Sequence, residues 1–301
     1  MKFLEELVSA TSDSTTELNG SSVVTKITDP TQLPYHLLDA TAGRKVERRY
    51  KNLRLSEIDG ACSREYVLGN LLDLSYVDSA RFSNVWQMDM GSAMHWHVQN
   101  DPRYFGDRLV GWWECRACGM ERRFGIRPQE PCEHCRAHPR VTQYKEYMFR
   151  LYNPYRVVGK ADAILRIEPR VYRFGEIKTV SKDMESPEGA HIAQIAAYTY
   201  FSRHDDKLPI TIDRSICYLF YFNKLFNWRS PVKVFPIRIT EALVNPLKEK
   251  AAQITSGVST RVLPPPLTTC IASNFSKGRA KKCGIVKVCK QKFNLGESKI
   301  E

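Results

Sequence analysis

Two Cys-x-x-Cys pairs, separated by thirteen residues, constrain the fold of this chain more than any other feature. The first pair is Cys115 with Cys118, and the second is Cys132 with Cys135. Each pair can present two thiolates from one tight turn, and two such turns can enclose a tetrahedral Zn²⁺ with four sulfur ligands. A two-iron or four-iron cluster could use the same ligands, but zinc is the favoured interpretation. The spacing therefore predicts a small zinc ribbon over residues 111–140.

The chain is strongly basic, with 45 Lys and Arg against 33 Asp and Glu and a formal net charge of +12. A basic surface suits a polyanionic partner, because contacts to phosphates release condensed counterions. Charge alone is equally compatible with a basic protein that binds no polyanion. Aromatic and basic residues flank the predicted ribbon and indicate contacts to nucleic acid or to a protein partner: Trp112, Trp113, Arg122 and Arg123.

The start of the chain carries no recognisable targeting signal. Residues 1–35 are polar and rich in Ser, Thr and Asp, which predicts a flexible leader rather than a signal peptide. No apolar run approaches the roughly 18 residues of a membrane span, so no membrane partner is expected. We therefore expect an intracellular, cytoplasmic protein. In that reducing compartment, its nine cysteines are expected to be metal ligands or buried thiols.

Hydrophobic periodicity predicts an α/β fold, with a mixed central β-sheet flanked by helices. One helix is expected to begin near Ser56 and to end near Leu72, and three others to cover residues 88–100, 189–202 and 242–254. Strands are expected over residues 144–151, 155–167, 171–179, 215–222 and 232–239. Around the ribbon at 111–140, the predicted segments are a helical part at 36–110, a core at 141–260 and a basic, cysteine-containing segment at 261–301.

A predicted hairpin carries two carboxylates and a lysine. Asp162 lies seven residues before Pro169 in the expected turn, and Glu176 lies seven residues after it, so the two acids should face each other across the hairpin. Lys178 shares a strand face with Glu176. Adjacent carboxylates repel unless a cation such as Mg²⁺ or Mn²⁺ lies between them, and a lysine beside them can stabilise charge on a phosphate. The alternative is a solvated strand face with cross-strand ion pairs.

Helices on either side of the hairpin in the sequence add polar residues at regular spacing. One helix contains Gly91 and His95, and the other places Gln194 and Tyr198 on one stripe. Taken singly, each of these residues is more simply a cap or a surface residue.

The four motifs follow one another in a fixed order: Gly91 to His95, Gly159 to Asp162, Glu176 to Lys178, and Gln194 to Tyr198. In this order they resemble the RecB/AddB-like branch of the PD-(D/E)XK nucleases, which includes CRISPR-associated adaptation exonucleases and phage exonucleases. The resemblance implies a restriction-endonuclease-like core and a metal-dependent nuclease.

The resemblance also implies the roles of individual residues. The metal ligands would be His95, Asp162, Glu176 and the backbone carbonyl of Ile177. Lys178 would be catalytic, and Gln194 and Tyr198 would position DNA or the active site. His97 is a competing ligand, although the four-residue step from Gly91 favours His95. Glu146 could add a carboxylate from the preceding strand, or could be only a surface charge.

A second set of cysteines is split between the two ends of the chain: Cys62, Cys270, Cys283 and Cys289. In the family that the chain resembles, one cysteine before the core and three after it hold a four-iron–four-sulfur cluster. The chain departs from that pattern because twelve residues separate Cys270 from Cys283. The alternative is a set of unrelated reduced thiols. Cys217, inside an apolar strand, is most simply a core residue.

Together these features predict a DNA nuclease, most simply an exonuclease in recombination, repair or DNA degradation, which could be a phage protein acting in the host cytoplasm. One alternative is a non-catalytic nucleic-acid-binding protein, with a zinc ribbon on a degenerate nuclease scaffold. Another is an iron–sulfur or zinc protein whose hairpin charges are structural. The intact set of Asp162, Glu176 and Lys178 favours the nuclease.

Overall fold

The computed structural model of the chain describes residues 45–79, 82–224 and 231–300. In these ranges, a seven-stranded mixed sheet is accompanied by a three-stranded and a two-stranded sheet. The predicted leader at residues 1–35 lies outside the described residues.

The strands alternate with helices along the chain. The strands are β1 (Lys45–Arg49), β2 (Leu53–Arg54), β3 (Ser75–Ser79), β4 (Leu109–Cys115), β5 (Glu121–Ile126), β6 (Thr142–Lys145), β7 (Tyr147–Leu151), β8 (Val157–Ala161), β9 (Ala163–Glu168), β10 (Val171–Val180), β11 (Ile216–Asn223) and β12 (Val232–Arg238). The helices are α1 (Ser63–Leu71), α2 (Phe82–Asn100), α3 (Pro102–Phe105), α4 (Gly189–Phe201), α5 (Glu241–Thr260), α6 (Thr268–Ala272), α7 (Arg279–Lys282) and α8 (Val286–Asn294). None of the helices in the described ranges combines the length and the apolarity needed to cross a membrane.

The large sheet has the strand order β12-β11-β10-β9-β4-β5, and β6 pairs with the C-terminal half of β4, from Trp112 to Cys115. Its pairs are antiparallel except for β10 with β11, which run parallel. Parallel neighbours need a crossover connection, and α4 occupies that connection and packs against both strands. The sheet and its flanking helices confirm the predicted mixed α/β class.

Strand β10 is covered on both faces. Its residue Ile177 packs with Val98 of α2, whereas Phe174 belongs to the main core together with Ile195 of α4. Successive side chains of a strand point to opposite faces, so α2 and α4 lie on opposite sides of β10. Polar residues of β10 can therefore meet side chains from both helices.

The predicted helix from Ser56 to Leu72 is wrong in its first half. Residues Leu55–Glu57 form a single 3₁₀ turn, and α1 begins only at Ser63. A turn that contains Gly60 separates the two, and Cys62 is extended at the N-cap of α1. The apolar residues Leu55 and Ile58 are buried without being helical, because they pack into the core from this turn. Because buried apolar residues at helical spacing also occur in this turn, the sequence pattern predicted a helix that begins too early.

The strand predicted over residues 155–167 divides into two at Asp162. Before this residue, β8 pairs with β2 and β7 in the three-stranded sheet. After it, β9 pairs with β10 and β4 in the large sheet. Asp162 thus occupies a bend where the chain passes from one sheet to the other.

The region predicted as a ribbon is continuous with the large sheet. Strand β4 begins at Leu109, ahead of the expected boundary, and ends at Cys115. It pairs with β5, β6 and β9. The first cysteine turn therefore joins β4 to β5, and the second lies in the connection between β5 and β6.

Helix α1 is held by the end of the chain. The buried Arg64 donates to the backbone carbonyl of Pro264 at 2.8 Å. Glu65 accepts from Arg279 at 2.7 Å and from the hydroxyl of Tyr50 at 3.0 Å. These contacts bring an early helix against the cysteine-containing C-terminal segment.

Candidate active site

Asp162 is fixed at the bend between β8 and β9 by the backbone of the neighbouring strand. Its Oδ2 accepts a hydrogen bond from the backbone N–H of Ile177 at 2.8 Å. The register pairs Ala163 with Gly175, so Asp162 and Glu176 come next in register across the hairpin. The bend frees Asp162 from the ladder of β9 and turns its carboxylate toward α2, where His95 lies.

Helix α2 supplies His95 to the same place. Its Nδ1 lies 3.5 Å from Oδ2 of Asp162. His97 points elsewhere, since its Nε2 faces Asp101 at 3.9 Å and its ring packs against Tyr104. Of the two histidines, His95 is therefore the one that the fold brings to the hairpin.

Glu146, at the end of β6, completes a cluster with His95 and Asp162. Ligand atoms of these three residues all lie within 4.8 Å of one another. The sequence left Glu146 open as either a ligand or a surface charge, and the structure places its carboxylate beside His95 and Asp162. Its Oε2 also pairs with Lys160 at 2.5 Å.

Gln99 holds this cluster together and was missed by the sequence reasoning. Its Nε2 donates to Oε1 of Glu146 at 2.7 Å and to the backbone carbonyl of Asp162 at 2.8 Å. Gln99 is buried, and it lies four residues after His95 on the same face of α2. That spacing was the one signal that could have identified it.

Glu176 is almost completely buried, with 1% of its surface exposed. Its Oε1 accepts from Lys178 at 2.7 Å and from Gln194 at 2.6 Å. Its Oε2 is buried and has no hydrogen-bond partner among the described residues. Burial, reinforced by the nearby charge of Asp162, raises the pKa of Glu176 to about 8 despite the opposing effect of Lys178. A buried carboxylate in this state fits a site that is completed by a cation.

Lys178, Gln194 and Tyr198 form a chain of hydrogen bonds that begins at Glu176. Lys178 donates to Oε1 of Gln194 at 2.9 Å, and Gln194 donates from Nε2 to the hydroxyl of Tyr198 at 3.0 Å. Gln194 and Tyr198 are both buried on α4. Two of the three N–H groups of Lys178 are thus used inside the described part of the chain, which leaves one for a substrate.

Gly159 gives Tyr198 the space it needs. A Cβ at this position would lie 2.7 Å from Cε1 of Tyr198 and 2.8 Å from Cζ of Phe149. Any larger residue would push these two rings aside. By contrast, a Cβ at Gly91 would meet only Oγ1 of Thr179 at 3.5 Å, an ordinary contact.

The donor set suits a hard divalent ion. Carboxylates, an imidazole and a backbone carbonyl are ligands that Mg²⁺ or Mn²⁺ accept. Glu176 is not a member of the compact cluster of His95, Glu146 and Asp162, because its Oε1 faces Lys178 and Gln194. Its other oxygen, which lacks a partner among the described residues, remains for a cation.

The two Cys-x-x-Cys turns meet as the spacing predicts. The sulfurs of Cys115 and Cys135 are 3.6 Å apart, and those of Cys118 and Cys132 are 3.7 Å apart. Tetrahedral zinc with bonds of about 2.3 Å separates its sulfur ligands by roughly 3.8 Å. The backbone N–H groups of Cys135 and His134 lower the pKa of Cys132 to about 6, which favours a thiolate.

The turns also resemble each other in backbone conformation. The residue after each second cysteine has a positive φ, 72° at Gly119 and 59° at Arg136. This conformation lets the chain turn back around the sulfurs. Glycine adopts it freely, whereas Arg136 adopts it at some energetic cost.

The other four cysteines line one cavity, which includes Cys270 in spite of the long gap that follows it. They come from four separate places: Cys62 at the N-cap of α1, Cys270 in α6, Cys283 at the C-cap of α7, and Cys289 in α8. The cavity wall also contains Leu267, Phe275 and Val286. No three of these sulfurs lie mutually within 4.8 Å, whereas the four ribbon sulfurs do. The wider spacing fits a multi-atom cluster better than a single ion.

Burial governs the chemistry of these thiols. It raises the pKa of Cys62 and of Cys289, and it raises the pKa of Cys283 to about 12. Thiolates in such surroundings need compensating positive charge. Arg64 opposes the effect of burial at Cys289, and an iron–sulfur cluster would supply iron to all four.

No family model matches the sequence, and no curated protein matches it. Among solved structures, the fold is similar to an alkaline exonuclease, LHK-Exo, from Laribacter hongkongensis, with a TM-score of 0.41 and 10% identity over 75% of this chain and 92% of that chain. The complex of LHK-Exo with dAMP gives 0.42 and 10% over 70% and 89%. The protein SSO0001 gives 0.35 and 16% over 73% and 85%. TM-scores below 0.5 do not define a family for the chain.

Proposed function

We propose that this protein is a divalent-metal-dependent deoxyribonuclease of the PD-(D/E)XK type that acts as an exonuclease. The observation that carries the proposal is the buried Glu176 carboxylate, which has one oxygen without a described partner and lies between Lys178 and Asp162. A surface ion pair would not need this degree of burial. The basic charge of the chain supports DNA as the substrate.

The proposed metal ligands are His95, Asp162, Glu176 and the carbonyl of Ile177. Glu146 is a further candidate, because it lies in the compact cluster with His95 and Asp162. Gln99 would orient Glu146 through its hydrogen bond. In this arrangement the ligands come from α2, from the bend at Asp162 and from β10.

A bound Mg²⁺ or Mn²⁺ would supply Lewis-acid activation of a water molecule and of the phosphate. In the hydrolysis, the oxygen of a water molecule would bond to phosphorus and give up a proton, while the bond from phosphorus to the leaving sugar oxygen would break and that oxygen would take up a proton. Lys178 directs its remaining N–H to a phosphate oxygen and stabilises the negative charge that develops there. Gln194 holds the side chains of Lys178 and Glu176 in position through hydrogen bonds, and Tyr198 orients Gln194.

The test is the degradation of linear and circular DNA with Mg²⁺ or Mn²⁺. We expect the parent protein to degrade linear DNA, and Lys178→Ala to lower the rate by about 10²-fold or more. Lys182→Ala is the matched control, since Lys182 is exposed and pairs only with Glu188 in the described chain. If the parent is inactive, or if Lys178→Ala is fully active, the nuclease proposal is wrong. Equal degradation of circular DNA would exclude a strict exonuclease.

We also propose two structural metal centres: a zinc ion on Cys115, Cys118, Cys132 and Cys135, and a four-iron–four-sulfur cluster on Cys62, Cys270, Cys283 and Cys289. The short distances within the first set and the shared cavity of the second set support these assignments. The zinc ribbon is also the part of the chain that we propose for contacts with a protein partner.

The cluster can be tested by purification without oxygen. We expect a brown protein that absorbs visible light and contains iron, and we expect Cys270→Ser to lose most of both signals. Cys217→Ser is the matched control, because Cys217 is buried in β11 and does not line the cavity. Iron-free parent protein would refute the cluster without affecting the nuclease proposal.

A further inference from the structure

Two grooves meet at a single residue, Trp96. The first, here called the metal groove, is lined by the cluster of His95, Glu146 and Asp162. The second, here called the arginine groove, runs between α2 and the cysteine ribbon. Trp96 follows His95 on α2 and lines both grooves. A linear ligand in one groove can therefore continue into the other past this ring.

Trp96 is built as an exposed aromatic surface. It remains 47% exposed although it lies in the middle of a helix that packs on the sheet. The guanidinium of Arg116 lies 5.6 Å from the centre of its ring. Arg116 directly follows the ligand Cys115, and its backbone N–H donates to the carbonyl of Val141 at 3.0 Å. The ribbon thus places a cation beside an exposed indole.

The arginines of the arginine groove fall into two groups, those that already have a partner and one that has none among the described residues. Arg103 and Arg127 are already engaged, Arg103 with Asp101 and Arg127 with the carbonyl of Asn100. Arg140 is exposed, and no partner for its guanidinium is found among the described residues. It belongs to the 3₁₀ turn Pro139–Val141, just after the ribbon. Arg140 in this groove is therefore available to an anionic ligand, together with Arg116, which lines neither groove but lies beside the ring of Trp96.

We propose that these two grooves form one track for a single strand of DNA, with a base stacked on Trp96 and its phosphates bound by Arg116 and Arg140. The proposal rests on the proposed nuclease function and adds to it the path by which the strand reaches the metal groove. An exposed indole stacks on a base that has an uncovered face, which the inner bases of a duplex lack and the bases of a single strand can offer. The cations beside the ring suit the phosphates of the same strand. On this basis the ribbon grips the substrate beside the site of hydrolysis.

The experiment measures binding without cleavage. The probe is a fluorescein-labelled oligodeoxythymidylate of about 20 nucleotides, followed by anisotropy with Ca²⁺ as the only divalent ion added. We expect Trp96→Ala to weaken binding by about 10-fold, because one base loses its stacking surface. Trp96→Phe keeps an aromatic face and should bind within about 3-fold of the parent. Arg140→Ala should weaken binding and lower the slope of log affinity against log salt by about 1.

Two exposed residues outside both grooves provide matched controls. Tyr152→Ala removes an exposed aromatic ring, and Arg150→Ala removes an exposed cation. Both variants should bind like the parent. If Trp96→Ala also binds like the parent, or if the controls weaken binding equally, the track is refuted. A blunt duplex that binds as tightly as the single strand and loses as much affinity on Trp96→Ala would contradict a track for a single strand, because its terminal base pair would then use the same ring.

The two proposals fail in different ways. Hydrolysis of the p-nitrophenyl ester of thymidine 5′-monophosphate by the parent protein reports on the metal groove, because so small a substrate does not need the track. A parent that binds the oligonucleotide through Trp96 but hydrolyses neither substrate would refute the nuclease and keep the track. If the parent hydrolyses the ester and Trp96→Ala binds the oligonucleotide as tightly as the parent, the track is refuted and the nuclease proposal stands.

Discussion

A proton and a cation compete for the carboxylate of Glu176. Its pKa of about 8 lies above the ordinary value of 4.5, chiefly because the group is buried. Between these two pH values the folded chain holds a proton that the unfolded chain has released. The metal-free fold therefore loses stability as the pH rises from about 4.5 to about 8. A divalent ion that binds Glu176 must displace this proton at the lower end of that range.

We therefore expect Mn²⁺ to raise the melting temperature more at pH 8 than at pH 6. Glu176→Gln, which keeps the shape of the protonated acid, should remove most of that difference. Thermal unfolding with and without Mn²⁺ at the two pH values measures both effects. An equal shift at pH 6 and pH 8 in the parent protein would show that Glu176 does not bind the ion.

Gly159 permits a second prediction about a single residue. In Gly159→Ala the new methyl group must displace the rings of Tyr198 and Phe149, at a cost of about 1–3 kcal/mol. The hydrogen bond from Gln194 to Tyr198 should be strained, so that nuclease activity falls by more than stability alone explains. Gly60→Ala is the control, because a Cβ there meets no atom within 4 Å. Full activity in Gly159→Ala would show that Tyr198 does not position the site.

The spacing within single elements predicted which residues become neighbours. Asp162 and Glu176 follow one another in the register of the hairpin, and His95, preferred to His97 for its distance from Gly91, is the histidine beside Asp162. The position of Glu146 beside His95 and the hydrogen bond that Gln99 donates to it could not be predicted in the same way. That hydrogen bond joins residues 47 positions apart and depends on how α2 packs against β6. Periodicity within one element does not record such a contact.

Among the elements, β4 connects the ribbon to the core. One end of this strand carries Cys115, a proposed zinc ligand, and its other end pairs with β9 of the hairpin. Disorder in the cysteine turns would therefore spread into the large sheet. A ribbon attached only by flexible linkers would not have this effect.

We predict that Cys118→Ser lowers both the zinc content and the melting temperature of the whole protein. Metal analysis after dialysis should give about one zinc per chain in the parent, and markedly less in the variant. Cys217→Ala is the control, because it removes a buried thiol and leaves zinc in place. If zinc is lost without any change in the unfolding transition, the ribbon is energetically separate from the sheet.

The elements were predicted with uneven success for a physical reason. Helices α2, α4 and α5 lie over the predicted segments, although α2 already begins at Phe82 and α5 continues to Thr260. The helix expected from Ser56 failed because buried residues of a turn happened to have helical spacing. The division of the strand at Asp162 was missed because both halves alternate in the same way, and only their partners differ.

For the whole molecule, the charge of +12 should dominate binding to DNA. We expect affinity for the labelled oligonucleotide to fall by about 10-fold or more between roughly 50 and 200 mM salt, through loss of counterion release. Anisotropy titrations across this range measure the slope. An affinity that does not depend on salt would show that the basic surface takes no part in binding.

The largest limit to prediction also belongs to the whole molecule. From the sequence, the assignment of Cys270 was ambiguous, because twelve residues separate it from Cys283. In the fold, four short segments from both ends of the described chain converge on one cavity. Contacts between residues so far apart in sequence have no local signature, and only the packing of α1 on the C-terminal helices brings them together.

The contacts between the C-terminal segment and α1 can form only late in the synthesis of the chain. Arg64 and Glu65 are buried charges whose partners, Pro264 and Arg279, leave the ribosome about two hundred residues later. Until then Arg64 lacks the carbonyl of Pro264, and of the described partners of Glu65 only the hydroxyl of Tyr50 has been made. Burying these charges in the core without the later contacts is unfavourable. The hairpin of β9 and β10 can form early from neighbouring residues, whereas the fold around the cysteine cavity must wait for residues up to Cys289.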